Sequence, residues 1–185
     1  MHFQVTAQPE DEPITLEEAK MHLRVDGEDE DLYITALIRA AREVCENYCN
    51  RAILSQAITL KMQNFPDCHI VLRYGNIQSI ASIKYMDREG QEQTIAPTDY
   101  VLHNVHESYV IAPAYGKSFP TTRGDFGNIT ILYIAGWVQV TDVPAAIRHA
   151  MLLTIGDMYE NREDAKRMAT TASMRLLNPY KLWHL

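Results

Sequence analysis

Two periodicities divide the chain. Up to about residue 54, and again from about 139, apolar residues return every three or four positions, the spacing of a helix with one buried side. Between about 55 and 138 they alternate with polar residues, the spacing of strands with one buried face. "ITLEEAKMHLRVD" opens on Thr15, whose hydroxyl can accept from the backbone three residues on while Glu18 reaches back. Glu17 and Glu18 suit the positive helix end, and Val25-Asp26-Gly27 closes the segment. "EDEDLYITALIRAAREVCENYCNR" predicts a longer helix, with the acids Glu28 to Asp31 at its start. Its apolar stripe reads Leu32, Ala36, Leu37, Ala40, Ala41, Val44, Cys45 and Tyr48, with Arg39, Arg42, Glu43 and Glu46 elsewhere on the wheel.

Seven short runs then predict strands: "QAITLKMQ", "HIVLRY", "IQSIASIKYMD", "EQTI", "YVLH", "SYVIAP" and "NITILYIAGW". "DREG" (87–90) reads as a hairpin turn in which Gly90 supplies the positive φ. Residues 113–127 form the longest loop. After Gly136 the helical period returns: Thr141 or Asp142 can cap, and Pro144 fits the first turn, where its missing N–H costs nothing. Ile147, Ala150, Met151, Thr154, Ile155 and Met158 make one stripe, and Leu152 and Leu153 widen it beyond the usual ~100°. The closing "DAKRMATTASMRLLNPYKLWHL" is weakly helical and is broken at Asn178-Pro179. The fold class expected is α+β: a discontinuous helical bundle over 1–54 and 139–185, with a small antiparallel β-sandwich or barrel inserted at 55–138.

Composition narrows the function. A chain of 185 residues that is 46% hydrophobic and 22% charged is an ordinary globular protein, long enough to fold without disulfides. No apolar run approaches the ~18 residues of a membrane span, and "MHFQVTAQPEDEP" lacks the basic and apolar regions of a secretory signal. Cys45, Cys49 and Cys68 have no framework spacing, which points to a reducing compartment. A net charge of -7 disfavours a surface that grips phosphate backbones, while leaving room for a protein that DNA merely passes.

The candidate chemistry is thin. "AYGKS" (114–118) has Ile111 where a phosphate-binding loop needs glycine, and Phe119-Pro120 blocks the helix that must follow. "RGD" (123–125) is a three-residue match in a chain without an export signal. Cys45 and Cys49, with Cys68-His69, could be imagined around a metal, but thiols on an apolar stripe are far more often packed than ligating. His103, His106 and Glu107 make no firm ligand set and suit a solvated hairpin end. His149 and Asp157 are ~12 Å apart along a helix, too far to form a base and its orienting partner.

With these residues in view, the chain resembles the phage head-tail connector (adaptor) family. The resemblance rests on "EPITLEEAKMHLRVD", "GEDEDLYITALIRAAREVCENYCNRAI", "IQSIASIKYMDREGQEQTI", "DYVLH", "IAPAYGKSFPTTRGDFGNITILYIAGW", "VPAAIRHAMLLTIGDMYENRE" and "LLNPYKLW" in that order. It spans about residues 10–183 and is strongest to the longer subgroup, in which a β-rich insertion divides the helical domain.

The resemblance implies a non-enzymatic virion protein, made in the host bacterial cytoplasm, with no cofactor, metal or membrane. Such proteins form a ring, commonly twelvefold, beneath the portal. The ring extends the channel through which DNA passes without sequence-specific binding, and it receives the stopper or tail-completion protein. Two residue sets follow as expectations. Leu177, Tyr180, Leu182 and Trp183 form a candidate portal-contacting tail, because aromatic residues beyond a helix break make good anchors. Arg148, His149, Leu152 and Tyr159 form a candidate subunit interface, because this helix is apolar on more sides than one core needs. The alternatives are a stopper-like head- or tail-completion protein and, further off, a small metal-dependent hydrolase.

Overall fold

Thr15 starts the first helix as its spacing dictates. In the computed structural model, which describes residues 1–105, 108–161 and 171–183, the Glu18 N–H donates to the Thr15 hydroxyl at 3.2 Å. The Thr15 N–H returns a 2.9 Å bond to the Glu18 carboxylate. Helix α1 (Leu16–Leu23) ends at Arg24, which takes the left-handed conformation immediately before the expected stop at Val25-Asp26-Gly27. Helix α2 (Asp31–Cys49) closes in the same way on Asn50.

The buried side of α2 differs from the predicted stripe. Ile34, Leu37, Ile38, Ala41, Arg42, Cys45, Glu46 and Cys49 face inward, whereas Leu32, Ala36 and Val44 are exposed. The physical reason is a buried ion network. Arg42 Nη1 donates to Glu46 at 3.0 Å and Arg42 Nε to Glu12 at 2.8 Å, while a Glu46 oxygen accepts from the Ile53 N–H at 2.8 Å. Two charged residues therefore occupy the inner face once each has a partner.

Helix α3 (Ala145–Glu160) starts at Pro144, which sits at the N-cap and not inside the first turn. Thr141 and Asp142 do not cap it; they belong to a short 3-10 turn, Val140–Asp142. The expected stripe is buried from Ile147 to Ile155, with Met158 half-buried at its end. Helix α4 (Ala172–Leu177) is capped by Thr171 and runs into a 3-10 turn at Asn178–Tyr180, where Pro179 stops it.

These four helices form one of two compact units, residues 9–54 with 137–183. Its core gathers Ile14, Ile34, Ile38, Ala41, Cys45, Ile147, Met151, Ile155 and Leu177. Leu54 and Trp137 pair as an isolated parallel bridge, so the chain leaves and re-enters this unit side by side.

The other unit is antiparallel β and holds residues 1–8 and 55–136. Its strands are β1 (His2–Ala7), β2 (Gln56–Met62), β3 (Ile70–Leu72), β4 (Ile77–Met86), β5 (Glu92–Thr94), β6 (Tyr100–Val105), β7 (Ser108–Pro113) and β8 (Ile129–Ala135). They make a five-stranded sheet, β1-β2-β8-β4-β5, and a three-stranded sheet, β3-β7-β6. Each of the seven expected runs contains a strand. The first strand is a correction, since residues 1–8 were expected beside the helices. His2 to Ala7 instead pair with Lys61 to Ala57 of β2. Turn 87–90 is the expected hairpin, with Gly90 at φ +80° and its N–H bonded to the Asp87 carbonyl.

Candidate interaction surfaces

The residues expected to meet partners fall into two groups. Arg148 is already engaged within its own unit: Nε donates to the Pro13 carbonyl at 3.1 Å, and Nη2 pairs with Glu18, tying α3 to the capping box of α1. The Glu18 carboxyl is held below the usual range, chiefly by the Thr15 N–H, with Arg148 assisting against burial. Leu152 packs against the core, and Tyr159 packs there while its hydroxyl bonds Glu30 and its ring meets Tyr33. His149 projects from α3 and is exposed.

The C-terminal segment is strapped to the end of α2. The Leu182 N–H donates to the Cys49 carbonyl at 2.8 Å, Asn50 Nδ2 to the Leu182 carbonyl at 3.0 Å, and Arg51 Nε to the Tyr180 carbonyl at 2.5 Å. Leu177 and Leu182 are buried and Tyr180 is half-buried against the core. Trp183, at 75% exposure, projects. Lys181 Nζ lies 4.7 Å from the centroids of both the Tyr48 and Trp183 rings, so a cation holds the indole over α2.

Among the described residues no three His, Cys, Asp or Glu side chains lie close enough to hold a metal ion. Burial pushes the Cys45 thiol up to about 12 and the Cys49 thiol up to about 11, so both are packed and unreactive, whereas Cys68 is exposed. His103 lies exposed on β6; His106 and Glu107 fall outside the described residues, as do residues 162–170. Among the described residues, no helix is long and apolar enough to cross a membrane.

Register reveals a surface that the alternation alone did not. In the three-stranded sheet, Val101 faces Ala112, His103 faces Val110, Val105 faces Ser108 and Val71 faces Val110. Opposed residues share a face, so these seven lie together on the side away from buried Ile70, Leu72 and Ile111. Among the described residues this face carries no Asp, Glu, Lys or Arg, yet Val101 is 42% and Val105 51% exposed. On the corresponding face of the five-stranded sheet, Lys61 and Lys84 oppose Thr130, and Gln4 opposes Thr59. That is the ordinary polar exterior of an antiparallel sheet.

The loop between β7 and β8 is pinned at several points. Gln63 Nε2 donates to the Gly124 carbonyl at 2.7 Å, the Ala114 N–H to the Asp99 carbonyl at 3.0 Å, and Phe119 stacks on Phe65 at 4.9 Å. Tyr115 and Phe126 nevertheless stand fully in solvent. Lys117 of the rejected phosphate motif pairs with Asp99 at 3.4 Å, and Arg123 with Asp125 at 2.9 Å.

Comparison with known proteins agrees with this architecture. Residues 13–109 match the family model described as phage gp6-like head-tail connector protein. None of the curated proteins compared with the chain matches it. Among solved structures, a chain in the neck of an empty GTA particle, computed with C6 symmetry, superposes at a TM-score of 0.86. It shares 18% identity and covers all of this chain and 97% of its own. Chains from the virion of a native gene transfer agent particle (0.83, 20% identity) and from the neck of the native particle computed with C12 symmetry (0.82, 18% identity) cover the same shares. At these identities the likeness establishes the fold.

Proposed function

Because the chain belongs to the phage gp6-like head-tail connector family, we propose that it works as a ring beneath the portal of a tailed-phage-like particle. The ring extends the DNA channel, and its far side receives the stopper or tail-completion protein. The protein is structural, carries out no reaction and needs no cofactor. It is made in the host bacterial cytoplasm and ends in the virion. The observation that carries this reading is the whole-chain likeness to a protein of a particle neck computed with C12 symmetry, joined to the family match.

Two features of the chain support it. A net charge of -7 gives DNA little reason to stick to a conduit, since phosphate affinity rests on clustered Lys and Arg. Trp183, 75% exposed with Lys181 against its ring, is an aromatic anchor of the kind that dominates protein interfaces. In this reading Trp183 and the exposed edge of Tyr180 meet the portal, while Leu177 and Leu182 hold the platform in place. His149 and the exposed parts of Leu152 and Tyr159 face a neighbouring copy. Co-sedimentation with assembled portal oligomers tests the proposal: the chain should pellet with the portal, and its persistence in the supernatant at micromolar concentration would contradict it.

A further inference from the structure

Between α1 and α2 the chain runs through residues 25–30 without regular structure. It is held on either side of Asp26. The Val25 N–H donates to the Lys20 carbonyl at 3.1 Å and the Val25 side chain packs on the core, while Lys20 Nζ donates to the Gly27 carbonyl at 2.5 Å. The peptide between these two ties is free. Among the described residues the Asp26 carboxylate meets no donor and the Gly27 N–H no acceptor, and both residues are exposed. Gly27 takes φ +91°, and a Cβ placed on it would meet nothing within 4 Å. Asp26 is also the only Asp or Asn in the chain that precedes a glycine. A side chain on the following residue crowds that residue's nitrogen, whereas glycine leaves it open and lets the backbone turn.

We propose that Asp26-Gly27 is a site of spontaneous covalent modification, at which Asp26 converts to isoaspartate in the folded chain. The Gly27 nitrogen attacks Cγ of the protonated carboxyl group. An N–C bond forms and a C–O bond breaks. The N–H proton and the hydroxyl leave as water, and a five-membered succinimide remains. Water then opens the ring. Cleavage between the nitrogen and Cγ restores aspartate. Cleavage between the nitrogen and the Asp26 carbonyl carbon leaves the main chain running through Cβ and Cγ. No atom is gained or lost overall, and water is the only co-reactant. The isomer lengthens the main chain by one atom between two packed helices, so the Gly27 carbonyl loses its place on Lys20 Nζ, the contact by which α1 holds this loop. The reaction belongs to the single chain and does not depend on the ring.

The test ages the full chain at neutral pH and physiological temperature, once in native buffer and once unfolded in urea. Digests are taken at intervals. Isoaspartate is read by an isoaspartyl methyltransferase with labelled methyl donor, and is placed by electron-transfer fragmentation of the peptide that holds Asp26. Asp26→Glu is the control: it keeps the charge at an exposed site, but its ring would have six members and closes far more slowly. Isoaspartate should build up at Asp26 in the native chain within about threefold of its rate in urea, as for a segment whose local opening costs almost nothing. The control should take up little label. The aged wild-type chain should also melt below the aged control. Suppression of the native rate by more than about tenfold would mean that the loop is locked, and would overturn the inference. Equal labelling of wild type and Asp26→Glu would place the reaction elsewhere and overturn it as well. Isoaspartate at Asp26 with unchanged melting would overturn the stated effect on the Lys20 contact.

Discussion

Arg42 and Glu46, one helical turn apart on α2, meet at 3.0 Å inside the core of the helical unit, with Arg42 only 2% exposed. Burial alone would lower the proton affinity of the guanidinium. Glu12 and Glu46 more than offset it, so the net shift is upward. Removing one member of such a network leaves a buried charge without its counterpart. Arg42→Met should therefore cost about 3–5 kcal/mol in urea unfolding. A loss below about 1 kcal/mol would show that the network contributes nothing to the fold.

Glu18 gives a pH dependence. Its folded carboxyl is depressed by the Thr15 N–H and Arg148, so its contribution to stability is present above the unfolded value of ~4.3 and is lost as pH falls through the lower folded value. Thermal midpoints should decline on acidification below about pH 4.3, and Glu18→Gln should flatten that part of the curve. Identical acid profiles for the two proteins would sink the assignment. Thr15→Ala, which removes the hydroxyl half of the box, should cost about 1 kcal/mol at neutral pH.

Arg148 and His149 are adjacent in sequence and should part company on substitution. Arg148→Ala breaks the bond to Pro13 and the pair with Glu18, and should lower the thermal midpoint measurably. His149→Ala, at an exposed site, should change stability by less than about 0.5 kcal/mol. Its effect should instead show in ring assembly. Equal losses of stability in both would contradict the division.

Thiol accessibility checks the core directly. In native protein a thiol reagent should modify Cys68 rapidly and leave Cys45 and Cys49 untouched until the chain unfolds, because burial holds their thiols at about 12 and 11. Fast reaction of all three would mean that α2 does not pack as described.

Much of this was legible in the sequence, and the exceptions have physical causes. Thr15 and Glu18 announced the first helix because a capping box is a local device that needs no tertiary context. Gly90 announced its turn for the same reason. The inner face of α2 was misread because Arg42 and Glu46 count as outward residues until Glu12, some thirty positions away, is brought beside them. Strand β1 was missed because His2 to Ala7 carries only Phe3 and Val5 on its inward side; its partner, β2, lies more than fifty residues on. The valine face could not be read at all, since "YVLH" and "SYVIAP" do not reveal which residues share a side until their register is fixed. For the tail, the sequence did not show where Leu177 to Trp183 would pack. The backbone bonds to Cys49, Asn50 and Arg51 assign Leu177 and Leu182 to the subunit's own packing and leave Trp183 outward.

The tail can therefore be tested one residue at a time. Trp183→Ala should leave the thermal midpoint nearly unchanged and weaken portal binding at least tenfold, as loss of an interface anchor worth ~2 kcal/mol or more would do. Leu182→Ala, at a buried site, should destabilise the chain by about 2–5 kcal/mol. Full portal affinity in the Trp183 variant would remove the indole from the contact.

The most direct measurement is cryo-electron microscopy of the purified chain mixed with its cognate portal oligomer. The account predicts a ring of these chains, twelvefold, stacked on the outer face of the portal and continuous with its channel, with the helical units against the portal. Portal particles without added density at micromolar concentrations of the chain would contradict it.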